Sequence, residues 1–381
     1  MSSRAGRNQR RDRERKRRQA SESDRAARDA AEAARYGVKP VPKVPPGARP
    51  PRPDFSEIDW DALRADYPEG ARGLLRAMCM ALIGDRAANA KRFLPWGLQP
   101  NPVHPKSRLA QDNSAVTLDD APALVSQTAL YPTMNASEHL TAAAEVISFA
   151  LLQGQIRTSA TAALCRIAME SSAKTIWLIS ETDTEERIRS CYGFLKAERG
   201  RQEEFERLEA EALDARTDEL FEADRAKFEE RRVRVATRQA QIDALPPESI
   251  TGPTGGPLKL VANAEKWMDE RLPRPPDPDL DKVLYPRSAR SFYSLGSGFV
   301  HGFKWLMPYV LDEGELDDTP LLTITLDAFN NAIRMTASAV ALFEAQSIGP
   351  QRDPRRFRNY PDGLEDMVTD LAADYRLPAD G

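Results

Sequence analysis

The sequence predicts an all-α protein, a helical bundle that carries a long charged helical arm and a disordered basic N-terminal tail. Three observations lead to this prediction. Apolar residues in the central part of the chain recur on one helix face, as at Leu140, Ala144 and Ile147. Residues 200–245 are rich in Glu, Arg, Ala and Gln and have only a sparse apolar seam, which is typical of a solvent-exposed helix or helical hairpin. No segment alternates apolar and polar residues convincingly enough to predict strands.

The first 54 residues combine an arginine-rich arm with a proline-rich linker. Up to Arg52 the chain contains sixteen Lys and Arg against six acidic residues, although the whole chain has a net charge of −4. Seven prolines between Pro40 and Pro53 favour an extended linker. Because the basic run has no apolar face to offset the entropy of ordering, we expect residues 1–54 to be disordered.

The basic arm is a candidate contact for nucleic acid or another polyanion. Its charge asymmetry relative to the rest of the chain favours an anionic partner. The residues that would make the contact are Arg10, Arg11, Arg13, Arg15, Lys16, Arg17 and Arg18. The alternative is a solvated tail that keeps an acidic body soluble.

A helical domain is expected over residues 55–348, followed by a polar C-terminal tail over residues 349–381. Residues 94–134 contain scattered prolines and little periodicity, so we expect a long ordered loop there with one short helix. The helices of the domain are expected to begin near Ser56 and Pro68 and to cover residues 137–155, 158–181, 200–245 (the charged arm), 258–272, 288–311 and 321–347.

Several classes of protein are disfavoured by the composition. The three cysteines are an odd number without a CxxC pair, which argues against disulfide frameworks and zinc ribbons. The positive N-terminus lacks the apolar segment of a signal peptide, and no apolar run is long enough for a membrane span. We therefore expect a cytoplasmic protein without a membrane partner. The three histidines show no metal-binding spacing and no nucleotide-binding loop is evident, so neither a metal nor a cofactor is expected.

Two groups of polar residues in apolar helices are candidate site residues. Arg166 and Glu170 are one helical turn apart in an apolar stretch, where unpaired charges are costly. Tyr293, Ser297 and His301 also share one helix face, among glycines that imply a close helix crossing or a ligand. We expect Arg166, Glu170 and His301 to lie in one cluster, which is either a structural network or a functional site.

Short motifs along the chain together resemble a known family. They are Glu138-His139-Leu140, Arg166-xxx-Glu170 with Trp177, Arg187-x-Arg189, and Tyr293-Ser294-xx-Ser297-xxx-His301-Gly302. Over residues 137–345, without the charged arm, this combination resembles a family of uncharacterised helical proteins from actinobacteria. That family is distantly similar to the HEPN superfamily of helical bundles, which includes many ribonucleases and nucleic-acid-associated defence proteins.

The resemblance implies catalytic candidates, with His301 as the acid or base and Arg166 or Arg187 as the cation beside Glu170. HEPN ribonucleases have an arginine shortly before the histidine on the same helix, whereas here no arginine stands between Arg290 and His301. The function expected from the sequence is therefore a non-catalytic helical interaction protein whose basic arm contacts nucleic acid. The alternative is a metal-independent ribonuclease or a defence-related nuclease of HEPN type. The apolar seam of the charged arm also predicts a homodimer through that arm.

Overall fold

The computed structural model describes residues 58–119, 121–253, 255–272, 287–312, 315–316, 318–351 and 353–375. The basic arm and the proline-rich linker lie outside these ranges, so the disorder expected for residues 1–54 stays a prediction. Within the described ranges the chain is helical, apart from loops and one antiparallel pair of two-residue strands, Leu311–Asp312 (β1) and Glu315–Leu316 (β2). The all-α prediction is confirmed.

The α-helices follow one another through mostly short connections. In chain order they are α1 (Trp60–Asp66), α2 (Pro68–Ala90), α3 (Leu94–Leu98), α4 (Arg108–Ala115), α5 (Leu124–Leu152), α6 (Thr158–Ile179), α7 (Thr184–Asp214), α8 (Phe221–Asp243), α9 (Gly256–Arg271), α10 (Ala289–His301), α11 (Met307–Val310), α12 (Asp318–Ser347) and α13 (Leu364–Tyr375). Single turns of 3-10 helix occupy Lys91–Phe93, Pro247–Ser249, Lys304–Leu306 and Arg356–Asn359.

Contacts divide the described part of the chain into two compact units, one within residues 58–80 and the other within residues 81–272 and 287–375. The described part of the first unit consists of α1 and the N-terminal part of α2. Helix α1 begins at Asp59, whose carboxylate accepts a hydrogen bond of 3.0 Å from the backbone N–H of Ala62. The second unit contains α3–α13 and every candidate residue that the structure describes.

Helix α6 is the centre of the second unit, in contact with α5, α7, α9, α10 and α12. Helix α5 runs antiparallel to it. The hydroxyl oxygens of Thr133 and Thr175 are 2.9 Å apart, and Asn135 Nδ2 donates to Ser171 Oγ at 2.7 Å. Small side chains at the contact allow the two helices to approach closely, and their buried hydroxyls are satisfied across the interface.

Helix α12 runs parallel to α6 on another side. Thr325 Oγ1 donates to Thr158 Oγ1 at 3.1 Å near the start of both helices, and Ser172 Oγ donates to Thr336 Oγ1 at 3.2 Å further along. These two pairs, together with the two between α5 and α6, form what we term the polar ladder. The core therefore contains hydrogen-bonded polar pairs at defined positions along the helix axes as well as apolar side chains.

The start of α5 differs from the sequence-based expectation of a loop up to residue 134. The helix begins at Leu124 and continues through the buried Pro132. Proline disfavours a helix interior because it lacks an N–H and its ring crowds the preceding turn. Pro132 is nevertheless buried, as are its neighbours Ala129, Thr133 and Ala136 on the same helix. Tertiary contacts thus outweigh the local proline signal.

The end of α10 also differs from expectation, since a helix was predicted over residues 288–311. The helix stops at His301, because Gly302 adopts the left-handed conformation with φ of 62°. Glycine has this conformation without strain, and the backbone N–H of Phe303 then donates to the carbonyl of Gly298 at 3.0 Å. The chain turns sharply here into the 3-10 turn and α11.

The charged arm is a helical hairpin formed by α7 and α8. Ion pairs cross between the two helices, and they are Arg199–Asp243, Arg225–Asp214 and Arg231–Glu209. All six side chains are partly exposed, so each pair contributes little to stability on its own. The prediction of a charged helical arm over residues 200–245 is confirmed.

The base of the hairpin is fastened where the chain returns from α8. The backbone N–H of Thr251 donates to the carbonyl of Arg189 at 3.0 Å. A Cβ atom added at Gly193 would lie only 2.0 Å from the carbonyl oxygen of Thr251, so no other residue fits there without moving the backbone.

The C-terminal segment differs from the expected polar tail over residues 349–381. Helix α13 packs against α12 and buries Leu364, Val368 and Leu371, which lie at the spacing of one helix face. Tyr375 at its end donates to the carbonyl of Ser180 at 2.5 Å. Residues 353–375 therefore belong to the folded body, because this apolar face is long enough to bury against α12.

Candidate functional site

Three of the residues predicted from the sequence form one hydrogen-bonded group between α6 and α10. Arg166 Nη2 donates to the phenol oxygen of Tyr293 at 2.8 Å, and that phenol donates to Glu170 Oε2 at 2.9 Å. The guanidinium carbon of Arg166 also lies 4.4 Å from the centroid of the Tyr293 ring, which is cation–π distance. We name Arg166, Glu170 and Tyr293 the tyrosine cluster.

The sequence produces this cluster through helical spacing. Arg166 and Glu170 are one turn apart on α6, so a single side chain from a facing helix can bridge them. Tyr293 is that side chain. A Cβ atom at Gly296 would lie 3.4 Å from Arg166 Cδ, which is an ordinary contact distance. Gly296 therefore lies against the arginine, but this contact alone does not require a glycine.

The protonation of Tyr293 limits the chemistry of the cluster. Burial, and secondly the negative charge of Glu170, raise the pKa of the Tyr293 phenol well above its ordinary value. The phenol therefore stays protonated and donates to Glu170, whose other oxygen lies 3.4 Å from Lys174 Nζ. With the carboxylate paired in this way, the cluster links α10 to α6.

Arg187, a further catalytic candidate, lies in a different part of the unit. Its Nε and Nη2 donate to the two carboxylate oxygens of Asp112 on α4, both at 2.6 Å. Both side chains are fully buried, and Arg187 Nη1 donates to the carbonyl of Glu181 at 2.6 Å. This arrangement neutralises the arginine inside the protein, so it is not positioned to stabilise a phosphate.

His301 lies outside the tyrosine cluster, contrary to the expectation of one group. It is the last residue of α10, it is exposed, and its ring stacks on Phe303 with a centroid distance of 5.4 Å. It makes no hydrogen bond within the described part of the chain. Ser297 is half-buried and does not join Tyr293 and His301 in a polar cluster either. Tyr293 is buried in the first half of α10, whereas His301 is the last residue of the helix and is exposed where the chain turns at Gly302.

A second buried network was missed by sequence reasoning. The carboxylate of Glu344 on α12 is fully buried and accepts hydrogen bonds from Trp96 Nε1 (2.8 Å), Asn101 Nδ2 (3.2 Å), Arg356 Nε (2.8 Å) and the phenol of Tyr360. The signal available in the sequence was a single charged residue among apolar helical neighbours, which is also the feature that identified Arg166 as a candidate. Its partners lie far away in the sequence, which hid the network.

The predicted nucleic-acid contacts of the basic arm, Arg10 to Arg18, lie outside the described residues. Among the helices that the structure describes, none is long and apolar enough to cross a membrane. The described ranges likewise contain no group of three His, Cys, Asp or Glu side chains arranged to hold a metal ion.

Comparisons with protein-family models, with curated proteins and with solved structures found no match to this chain. The functional assignment therefore depends on the chemistry and geometry of its own residues.

Proposed function

We propose that the protein is a non-catalytic helical interaction protein whose basic N-terminal arm binds nucleic acid. The observation that carries the first half of this proposal is the separation of the catalytic candidates. Arg187 is neutralised by Asp112, Arg166 and Glu170 are bridged by Tyr293, and His301 stands apart at the exposed end of α10. Phosphodiester cleavage needs an acid or base and a cation around one phosphate, and these positions do not supply that arrangement.

The distribution of charge supports the second half. Sixteen of the 54 Lys and Arg, but only six of the 58 acidic residues, lie up to Arg52. The remaining chain is therefore strongly acidic and repels a polyanion, whereas the arm attracts one. A cytoplasmic location is part of this proposal, because Cys79, Cys165 and Cys191 are buried and form no disulfide, as suits a reducing compartment.

The proposal is tested by measuring the affinity of the full-length protein for a fluorescent DNA duplex and an RNA hairpin at several salt concentrations. Replacing the seven basic residues between Arg10 and Arg18 by Gln should abolish most of the binding. The log–log salt slope should fall by about 0.9 for each phosphate contact removed from the duplex. A matched variant with the hairpin residues Arg207, Arg225 and Arg231 replaced by Gln should bind as the parent does. Unchanged binding by the arm variant would reject the proposal.

The alternative is a HEPN-type metal-independent ribonuclease or a defence-related nuclease. The one observation in its favour is that the His301 imidazole is exposed and makes no hydrogen bond to the described residues, so a substrate could reach it. Incubation of labelled RNA with the protein in excess EDTA tests it. RNA cleavage that disappears in His301→Ala and persists in His139→Ala would establish the alternative and reject the non-catalytic proposal.

A further inference from the structure

Large apolar side chains are exposed together where the chain leaves α10. The solvent-exposed fractions lie between 42% and 50% for Val300, Phe303, Trp305, Met307 and Tyr309. We name these five residues the aromatic surface. Scattered single apolar residues are ordinary on a protein surface, but five within ten positions of one short segment indicate an interaction site.

The backbone beneath the aromatic surface is held in place. Leu306 is buried below it, and a Cβ atom added at Gly298 would lie 2.9 Å both from Leu306 and from Trp305 Cζ2. Together with the left-handed turn at Gly302, these contacts seat the segment directly on α10. The exposed rings are thus displayed on a defined backbone, which lowers the entropy lost when a partner binds.

The most specific feature of the surface is the pair formed by Trp305 and Tyr309. Their ring centroids are 6.1 Å apart and their planes are nearly perpendicular, at 89°. Two half-exposed rings at a right angle leave an outward-facing corner with one flat wall and one edge, which we name the notch. A proline ring fits such a notch, and aromatic-lined grooves of this kind recognise the polyproline II conformation.

The sequence that follows the aromatic surface specifies the partner further. Lys304 is exposed within the segment, but five acidic residues follow it in the sequence between Asp312 and Asp318. Their charge favours a basic partner and disfavours an anionic membrane surface. The five side chains also expose on the order of 400–500 Å² in total, below the roughly 800 Å² per partner of a stable dimer interface. A short extended peptide fits this area better than a second copy of the chain.

We propose that the aromatic surface binds a proline-rich segment of a partner protein that carries Lys or Arg beside its prolines. A proline of the segment enters the notch between Trp305 and Tyr309, and a neighbouring cation interacts with the exposed face of Trp305. Residues three apart share one face of a polyproline II helix, so successive prolines would contact the same surface. This inference rests on the proposed role as an interaction protein, and it names the chemistry of the partner.

The test uses the full-length protein and a fluorescein-labelled peptide of repeated Pro-Pro-Arg triplets. A Gly-Ser-Arg peptide of equal length and charge is the control. Fluorescence anisotropy should show saturable binding of the proline peptide alone. Trp305→Ala and Tyr309→Ala should each weaken that binding by about tenfold or more. Tyr131→Ala removes a comparably exposed ring elsewhere, on α5, and should leave the affinity unchanged.

Each result decides a different point. Equal affinity for both peptides would mean that charge alone drives binding, and it would overturn the proposal, as would no binding of either. Co-sedimentation with phosphatidylserine vesicles that Trp305→Ala abolishes would assign the surface to a membrane and also overturn it. If Trp305→Ala lowers the melting temperature, Tyr309→Ala decides the matter. Binding of the DNA duplex is measured in the same samples to separate the two proposals. If the protein binds the duplex but not the peptide, only the proposal for the aromatic surface is rejected.

Discussion

The indole of Trp96 donates a hydrogen bond of 2.8 Å to the carboxylate of Glu344, although 248 positions separate the two residues. Arg356 Nε approaches the same carboxylate at 2.8 Å, so one buried acid joins α3, α12 and the segment that leads to α13. A buried carboxylate with several donors is stabilising only while the whole network is complete.

Replacing Glu344 by Gln should therefore destabilise the protein strongly. The substitution keeps the volume but leaves the nearly buried Arg356 without its counter-charge, at a cost of about 3–5 kcal/mol. Urea unfolding would measure the change. Glu230→Gln, in an exposed ion pair with Arg234, is the control and should change the stability little. Equal stability of both variants would contradict a structural role for the network.

Asp112 and Arg187 should behave as a buried pair whose halves depend on each other. Asp112→Asn leaves the fully buried guanidinium uncompensated, and we expect a loss of about 3–5 kcal/mol. The double variant Asp112→Leu with Arg187→Met should recover much of that loss, because apolar residues of similar volume need no charge partner. A double-mutant cycle by urea unfolding would show the coupling; additive losses would disprove it.

The tyrosine cluster should respond to the removal of a single oxygen. Tyr293→Phe deletes the phenol that links Arg166 to Glu170, and we expect a loss of about 1–3 kcal/mol. Tyr309→Phe removes an exposed phenol and is the matched control. Thermal unfolding would compare the two, and an unchanged melting temperature for Tyr293→Phe would show that the cluster does not hold α10 on α6.

Alkaline pH should weaken the fold through buried protons. Burial is the main cause that raises the pKa of Tyr375 from its ordinary 10.0 to about 12 and that of Cys191 from its ordinary 9.0 to about 12. Both groups ionise first in the unfolded chain, so the stability they contribute is complete below about pH 9 and decreases as pH rises towards 12. Urea midpoints between about pH 8 and 11 would trace the decrease. The decrease should be shallower in Tyr375→Phe and unaltered in Tyr131→Phe, where the ring is exposed; identical slopes for all three proteins would contradict the assignment.

The hairpin remains our proposed site of homodimerisation. Phe205 and Leu208 are half exposed or more and lie three residues apart on α7, so a second copy could cover both. Replacing both by Ser should shift the sedimentation coefficient from dimer to monomer. Replacing Lys266 on α9, outside the hairpin, by Ser should leave it unchanged. A parent protein that sediments as a monomer at micromolar concentration would remove the proposal.

The central helices could be predicted because their signals are local. The apolar spacing in α6 and the one-turn interval between Arg166 and Glu170 both follow from helix geometry. The partner on α10 is Tyr293, however, and not His301 as expected. The boundary of α10 was misplaced because the apolar residues after Gly302 continue the pattern while the backbone turns away. The extension of α5 through Pro132 was missed because tertiary packing opposes the local preference of proline.

The charged networks were harder to predict for a different reason. Asp112 lies in a segment interpreted as loop, and Glu344 finds its partners from both ends of the second unit. A single sequence identifies a costly buried charge from its apolar neighbours, but its partner is chosen by the three-dimensional arrangement of distant segments.

The polar ladder has a mechanical consequence. Its pairs join α5, α6 and α12 at matched heights, so sliding one helix by a single turn, about 5.4 Å, would separate its bonded groups from their partners at once. Sliding of these three helices along one another is therefore disfavoured along their whole shared length. The three helices should therefore move as one body, and we expect larger displacements only at their ends, where the aromatic segment and the hairpin base are attached.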